Sequence, residues 1–404
     1  MAFPTPPAPK SALGYHRVLS PTAGVRVSPL CLGAMNFGDA WKSFMGECTK
    51  ETAFEMLDYF FENGGNFIDT ANNYQGEESE EWLGEWMKAR NNRDQIVLAT
   101  KFTTCYPSGK GGETIRINFQ GNHAKSLKAS VAASLKKLQT DYIDVLYLHW
   151  WDFSTSIPEV MQSLHHLVQS GKVTYLGISD APAWIVSKAN QCAFAFLPPF
   201  HISSLHAAAD ISADARDHAL TQFSVYQGRW SAADRDFERE ILPMARDEGM
   251  ALAPWGALGG GAFKSAEDFA QSDGRKLRPQ SDKAQKVTVA LERVAKAKGT
   301  LITSVALAYV MHKAPYVFPI VGGRKLSHIK GNVDALSLEL SKDEIREIED
   351  AVPFDVGFPA SMLFEFFGQQ QWHSEMTTFD IPLVKAAGYL DDVQHVQPIK
   401  PRKV

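Results

Sequence analysis

In the stretch "NFIDTANNYQGEESEEWLG" (66–84), the acid Asp69 and the phenol Tyr74 stand five residues apart, just past a short apolar run where a strand would end. Farther along, Lys101 closes "QIVLATK" and His149 closes "YIDVLYLH". A phenol ionises at about pH 10 and is a poor acid at neutral pH, but an adjacent ammonium stabilises the phenolate and lowers that pKa. Lys101 would supply the charge and Asp69 would hold and neutralise the lysine. His149 would donate a hydrogen bond to a substrate oxygen and aim it at Tyr74. Together the four make a proton donor facing a carbonyl. Singly, each has a plainer account: a helix cap, a loop tyrosine, a solvated lysine, a rim histidine. The chemistry therefore depends on a fold that gathers strand ends.

The chain carries such a pattern. Eight short apolar runs read as strands: 29–35, 66–70, 95–101, 142–149, 172–179, 222–227, 250–255 and 316–322. Several are continuously apolar, as strands buried on both faces should be. Between them, residues 50–63 place Phe54, Leu57, Phe60 and Phe61 on one helical face, and 122–140 place Leu127, Val131, Leu135 and Leu138 likewise. Residues 158–171 and 283–298 show the same period. The alternation predicts an α/β fold, a (β/α)8 TIM barrel, which carries its chemistry at the C-terminal ends of its strands. Those ends are Asp69, Lys101, His149, Ser179 with Asp180, Gln227 and Trp255, far more reactive than the strand interiors.

Composition bounds the rest. With 404 residues, 45% of them hydrophobic, the chain can form one large domain: a core over 18–359, an N-terminal extension at 1–17 and a tail at 360–404. A net charge of -5, with Lys and Arg scattered among acids, argues against a nucleic-acid partner. Cys31, Cys48, Cys105 and Cys192 form no CxxC pair and have no histidine at metal-ligand spacing, so they read as reduced cytoplasmic thiols with no metal. No signal peptide or membrane span is expected. A cytoplasmic monomer or weak oligomer acting on a small molecule is the expectation.

The motifs "FIDTANNY", "LATKF", "LYLHWWD", "YLGISD", "YQGRW", "LAPWGALGGG" and "VGGRKLSHIKGN", in that order, resemble the aldo-keto reductase superfamily, in particular its fungal aryl-alcohol dehydrogenase and norsolorinic-acid-reductase-like branch. The resemblance spans about Val18 to Pro359. It implies a barrel that reduces aldehydes and ketones with NADP(H), with Asp69, Tyr74, Lys101 and His149 as the catalytic set and Tyr74 as general acid and base. It also implies cofactor contacts from Asp69, from Ser179, Asp180 and Gln227 to the nicotinamide carboxamide, from Trp255 by ring stacking, and from Gly256 and Leu258 in a pyrophosphate-covering loop. Asp180 departs from the family's usual asparagine and cannot donate as an amide does. After the last strand, Gly322 and Gly323 suit close approach to a phosphate at a helix N-terminus. There Arg324 and Lys325 can pair with a ribose 2′-phosphate, with His328 and Asn332 following, a turn that favours NADP(H) over NAD(H).

On the substrate side, Trp150, Trp151 and the long segment 102–123 follow strand ends and suit an aromatic substrate, with the aromatic-rich stretch 354–372 a further candidate to cover the mouth. The adjacent His165 and His166 cannot chelate from one helix face and are expected to pack or to lie at the surface. Residues 192–214 have no place in an eight-fold alternation complete without them; they read either as a poorly ordered insertion or as a translated intron. Two alternatives to a reductase stay open: a cofactor-binding regulatory subunit of the same fold with little turnover, and a product inactivated by that segment.

Overall fold

In this computed structural model the described residues are 6–107, 115–193, 220–264, 281–368, 370–373, 375–391 and 395–402. The barrel strands are β3 (Cys31–Gly33), β4 (Phe67–Asp69), β5 (Val97–Phe102), β6 (Ile143–Leu148), β7 (Val173–Ser179), β8 (Phe223–Arg229), β9 (Ala251–Trp255) and β10 (Ile320–Val321), preceded by a hairpin of β1 (Arg17–Ser20) and β2 (Ala23–Val27). All neighbours among β3–β10 pair in parallel, in the order β10-β3-β4-β5-β6-β7-β8-β9. A parallel bridge from Leu252 to Val317, just before β10, closes the circle. Each of the eight predicted runs overlaps one of these strands; β5 extends one residue and β8 two residues past its run.

Side-chain alternation sorts the strands into two cores. Cys31, Phe67, Val97, Ala99, Val145, Tyr147, Val225, Ala251, Ala253 and Phe318 point inward as one cluster, where Phe67 meets Phe318 edge to face at 6.4 Å. Leu32, Ile68, Leu98, Leu146, Leu176, Ile178 and Leu252 point outward into the core beneath the helices. Burial of both faces explains the continuous apolar runs. The hairpin was not apparent from periodicity. Its Leu19, Ala23 and Val27 join the inner cluster. Inside the barrel, a Cβ at Gly177 would come within 2.5 Å of the Tyr147 ring, so glycine there makes room for that ring below Lys101.

The predicted helices form as α1 (Lys50–Glu62), α3 (Ala124–Leu138), α4 (Ile157–Gln169) and α7 (Asp282–Lys298), with α2 (Glu78–Arg90), α5 (Ala183–Ala193) and α6 (Ile241–Asp247) between them. Side-chain caps fix their starts: Thr49 accepts from Thr52 N, His123 from Ser126 N, Ser156 from Glu159 N and Ser281 from Ala284 N. Then follow α8 (Ile302–Lys313), α9 (Leu326–Asp334) and α10 (Lys342–Asp350). Helix α8 is buried over most of its surface, from Ser304 through Val310, which hides the amphipathic period that would announce it. Among the described residues, no single helix is long and apolar enough to cross a membrane. The segment 192–214 begins with buried Cys192 and with Ala193 at the end of α5; the rest of it lies outside the described residues.

Candidate active site

The inward parity that fills the barrel also aims its reactive side chains. Asp69 ends β4, Lys101 lies one residue from the end of β5 and Gln227 lies in β8, all buried. Lys101 Nζ donates to Asp69 Oδ1 at 2.5 Å, to the Thr70 carbonyl at 2.7 Å and to Tyr74 Oη at 3.4 Å. The ammonium also lies 4.9 Å from the Tyr74 ring centre. Gln227 Nε2 donates to Asp69 Oδ2 at 3.0 Å, so both carboxylate oxygens are held. The His149 ring meets Tyr74 edge to face at 5.8 Å. The four residues expected to cluster do so.

The Tyr74 turn is constrained. Gln75, Gly76 and Glu77 all have positive φ, at 54°, 62° and 92°. Only glycine takes such angles without cost, so neighbours must hold the other two. Buried Gln75 donates to the Met35 carbonyl at 2.9 Å and accepts from Trp41 N at 2.7 Å, and Glu77 pairs with Lys137 at 3.1 Å. Glu78 accepts from Asp39 N and Ala40 N. The loop after β3 is thereby strapped to the Tyr74 turn and sets Trp41 at 6.2 Å from the phenol ring. Sequence reasoning missed Trp41, although a tryptophan in the loop after the first barrel strand is a usable signal.

Electrostatics correct one expectation. Burial raises the Tyr74 pKa, Lys101 opposes and Asp69 adds, and the net direction is up, not down. The ammonium acts as expected, but Asp69 neutralises it and the cluster excludes water. Burial would lower Lys101, but Asp69 and then Tyr74 outweigh it, so the ammonium stays charged. Burial pushes Asp69 up against the pull of Lys101 and Gln227; with two donors on its oxygens it remains the anion of the pair. Burial, aided by Lys101, lowers His149 to about 3, which makes it a neutral imidazole across physiological pH.

The loops after β5 and β6 meet beside His149. His149 Nδ1 lies 3.3 Å from Thr104 Oγ1, which also accepts from Trp150 Nε1 at 3.0 Å. Trp150 is half-buried at the mouth, as a substrate wall requires. Trp151 is 6% exposed and belongs to the outer core, so it packs the scaffold and offers little surface to a substrate. In the tail, Phe354 packs on the Arg235 and Arg239 guanidinium groups and on Trp372, while Phe358 and Phe367 are exposed. These contacts anchor the tail at Arg235 and Arg239, in the segment that follows β8. His165 bonds Thr221 and packs against His166, in the role expected of them.

The residues assigned to a cofactor fit one in type. Trp255, the last residue of β9, is 37% exposed, with the Arg229 guanidinium 5.9 Å from its ring centre. Gly256 follows at φ 76° and Leu258 is half-buried. Asp180 has φ 44°, a left-handed angle tolerated best by Asn and Asp, which explains why either can stand there. Ser179 Oγ donates to Asp180 Oδ2 at 3.1 Å, and burial raises the Asp180 pKa, opposed by Ser179 and Trp255. Gln227 gives one of its two amide N–H groups to Asp69. At the other end, Arg324 is half-buried above Gly46, where a Cβ would meet its Nη1 at 2.0 Å. Gly323 is buried, Lys325 and His328 are exposed at the start of α9, and His328 Nδ1 accepts from Arg324 N at 3.4 Å. Asn332 is buried, yet among the described residues its Nδ2 has no partner, as a group waiting for a ligand acceptor would be.

This barrel, with an Asp-Lys-Tyr-His cluster at its mouth, defines a carbonyl oxidoreductase of the nicotinamide-dependent class. The Aldo/keto reductase family model matches residues 29–353, and the chain belongs to that family. It is 57% identical to norsolorinic acid reductase A of Aspergillus parasiticus over 99% of this chain and 97% of that protein. It is 55% identical to norsolorinic acid reductase stcV of Emericella nidulans, covering 100% and 98%. It is also 50% identical to aryl-alcohol dehydrogenase GME11368 of Pestalotiopsis microspora, covering 100% and 97%.

Proposed function

We propose that this enzyme reduces an aromatic ketone or aldehyde of polyketide type with NADPH in the cytoplasm, using Tyr74 as general acid. The observation that carries this reading is the buried contact of Lys101 with Asp69 and Tyr74, with neutral His149 beside it. Bound nicotinamide supplies the hydride equivalent that reduces the carbonyl carbon. Ser179, Asp180, Gln227 and Trp255 would hold its nicotinamide end, Gly256 and Leu258 its pyrophosphate, and Gly323, Arg324, Lys325, His328 and Asn332 its adenosine 2′-phosphate end. His149 donates to the carbonyl oxygen and orients it toward Tyr74. Tyr74 is protonated at neutral pH because its pKa is raised, and it gives its proton to that oxygen as charge develops there. Lys101 stabilises the phenolate left behind, and Asp69 keeps Lys101 in place.

Trp41 and Trp150 support an aromatic substrate, as do relatives named for norsolorinic acid and aryl alcohols. Four unpaired cysteines suit a reducing compartment. The test is Tyr74→Phe, assayed by NADPH oxidation with aromatic carbonyls and by NADPH binding. Activity should fall by ~10² or more with binding retained. Undiminished turnover in that variant would remove Tyr74 from the mechanism.

A further inference from the structure

We infer that Thr104 is a positioning residue that fixes the tautomer of His149, with Trp150 fixing Thr104 in turn. A neutral imidazole carries one N–H, and which nitrogen bears it decides whether the ring donates to a carbonyl or repels it. The indole Nε1 of Trp150 is a donor only, so at 3.0 Å from Thr104 Oγ1 it occupies a lone pair of that hydroxyl. Among the described residues, the other neighbour of Thr104 Oγ1 is His149 Nδ1, at 3.3 Å. If Nδ1 were protonated, the hydroxyl would accept twice and its own hydrogen would have no protein acceptor. Donation from Thr104 to an unprotonated Nδ1 satisfies all three groups. The proton of the imidazole then sits on Nε2, which has no protein partner among the described residues.

The relay is held from behind. Buried Asn122 donates from Nδ2 to the Trp150 carbonyl at 3.1 Å and to Thr103 Oγ1 at 2.9 Å. It exchanges two further bonds with Asp152: Asn122 N to Asp152 Oδ2 and Asp152 N to Asn122 Oδ1, each 2.8 Å. Thr103, at φ 105°, is in a region that β-branched residues avoid, and its hydroxyl also accepts from His149 N at 3.3 Å. The loops after β5 and β6 are thus locked together, which keeps the indole aimed at Thr104. The tautomer follows from these contacts in a ring kept neutral; its benefit to catalysis rests on His149 facing the carbonyl, as proposed above.

The test uses full-length protein labelled with 15N-histidine, the His149 signals being assigned by their loss in His149→Gln. The expected spectrum of the unsubstituted protein has Nδ1 unprotonated and Nε2 protonated, unchanged around neutral pH. Thr104→Val removes the hydroxyl at nearly constant shape. It should populate the other tautomer and lower kcat by about 10-fold or more while KM for NADPH stays the same. Thr104→Ser should restore both readouts. A protonated Nδ1 in the unsubstituted protein would overturn the inference, as would a Thr104→Val protein that keeps both the original tautomer and its kcat. Should that variant fail to fold, the spectrum of the unsubstituted protein and that of Trp150→Phe decide the matter. Full activity in His149→Gln together with a protonated Nε2 would reject the role given to His149 and leave the relay standing.

Discussion

Asp69→Asn isolates what the buried ion pair does. The side chains of Lys101 and Asp69 are 0% and 4% exposed, with Nζ and Oδ1 2.5 Å apart. At an effective dielectric of ~20 their gross attraction is ~7 kcal/mol, set against a desolvation cost of several kcal/mol for each ion. Removing one charge leaves the other buried and uncompensated, which costs ~3–5 kcal/mol. The asparagine amide must also turn its NH2 toward one of two donors, Lys101 Nζ or Gln227 Nε2, since both donate to Asp69. The sign of the pH dependence should reverse. In the unsubstituted protein Lys101 has a raised pKa, so its stabilisation is complete below the unfolded lysine value and is lost as pH climbs through the folded one. In Asp69→Asn the folded pKa falls below the unfolded one, so stability lost near neutrality returns as pH rises, by up to ~1.4 kcal/mol per unit. Denaturant unfolding from neutral to alkaline pH measures both effects. The double variant Asp69→Leu with Lys101→Met should regain most of the stability and none of the activity, because apolar side chains replace the pair without leaving a charge behind. A single variant within ~1 kcal/mol of the unsubstituted protein, with no change in pH slope, would refute this account of the pair.

Two other outcomes follow from geometry already given. Arg324→Ala should weaken NADPH binding by ~1–3 kcal/mol, the range for a hydrogen bond to a charged group, and leave NADH nearly unchanged; equal losses for both in binding titrations would show that Arg324 does not read the 2′-phosphate. His149, lowered to about 3, should make the fold lose stability as pH drops below the unfolded histidine value, by up to ~1.4 kcal/mol per unit, because folding then excludes a proton the unfolded chain takes up. Comparing acid-side unfolding with His149→Gln checks this, since that variant should lack the slope, and identical slopes would count against a neutral buried imidazole.

Much of this was legible because barrels convert one-dimensional alternation into position. Once the ends of eight runs were taken as one rim, Asp69, Lys101 and Gln227 had to share a neighbourhood despite lying far apart in sequence, and hydrogen bonds join them. What stayed hidden has physical causes. The pKa of Tyr74 depends on a balance between burial and two opposite charges, which residue types do not supply. Trp150 and Trp151 are identical in type and adjacent, yet opposite parity sends one to the mouth and the other to the core. Thr104 is a loop threonine with no motif, and its importance appears only when Trp150 and His149 are seen on either side of its hydroxyl.

The electrostatic design of the mouth follows from one choice, a buried lysine. An unpaired ammonium there would demand an anionic ligand, but Asp69 cancels it and Gln227 holds the second carboxylate oxygen. The field that remains is that of a dipole, which burial outweighs at Tyr74, keeping the phenol protonated and ready to donate. The same ammonium helps burial to keep His149 from gaining a proton, so the imidazole stays neutral with a single N–H to place. In the mechanism we propose, a neutral carbonyl then meets two hydrogen-bond donors without paying to approach a net charge. Lys101 acts once negative charge appears on Tyr74, because only then does its pairing with Asp69 fall short of the charge present. On that reading the fixed constellation would bind the ground state weakly and the proton-transferred state more strongly, the condition for acceleration.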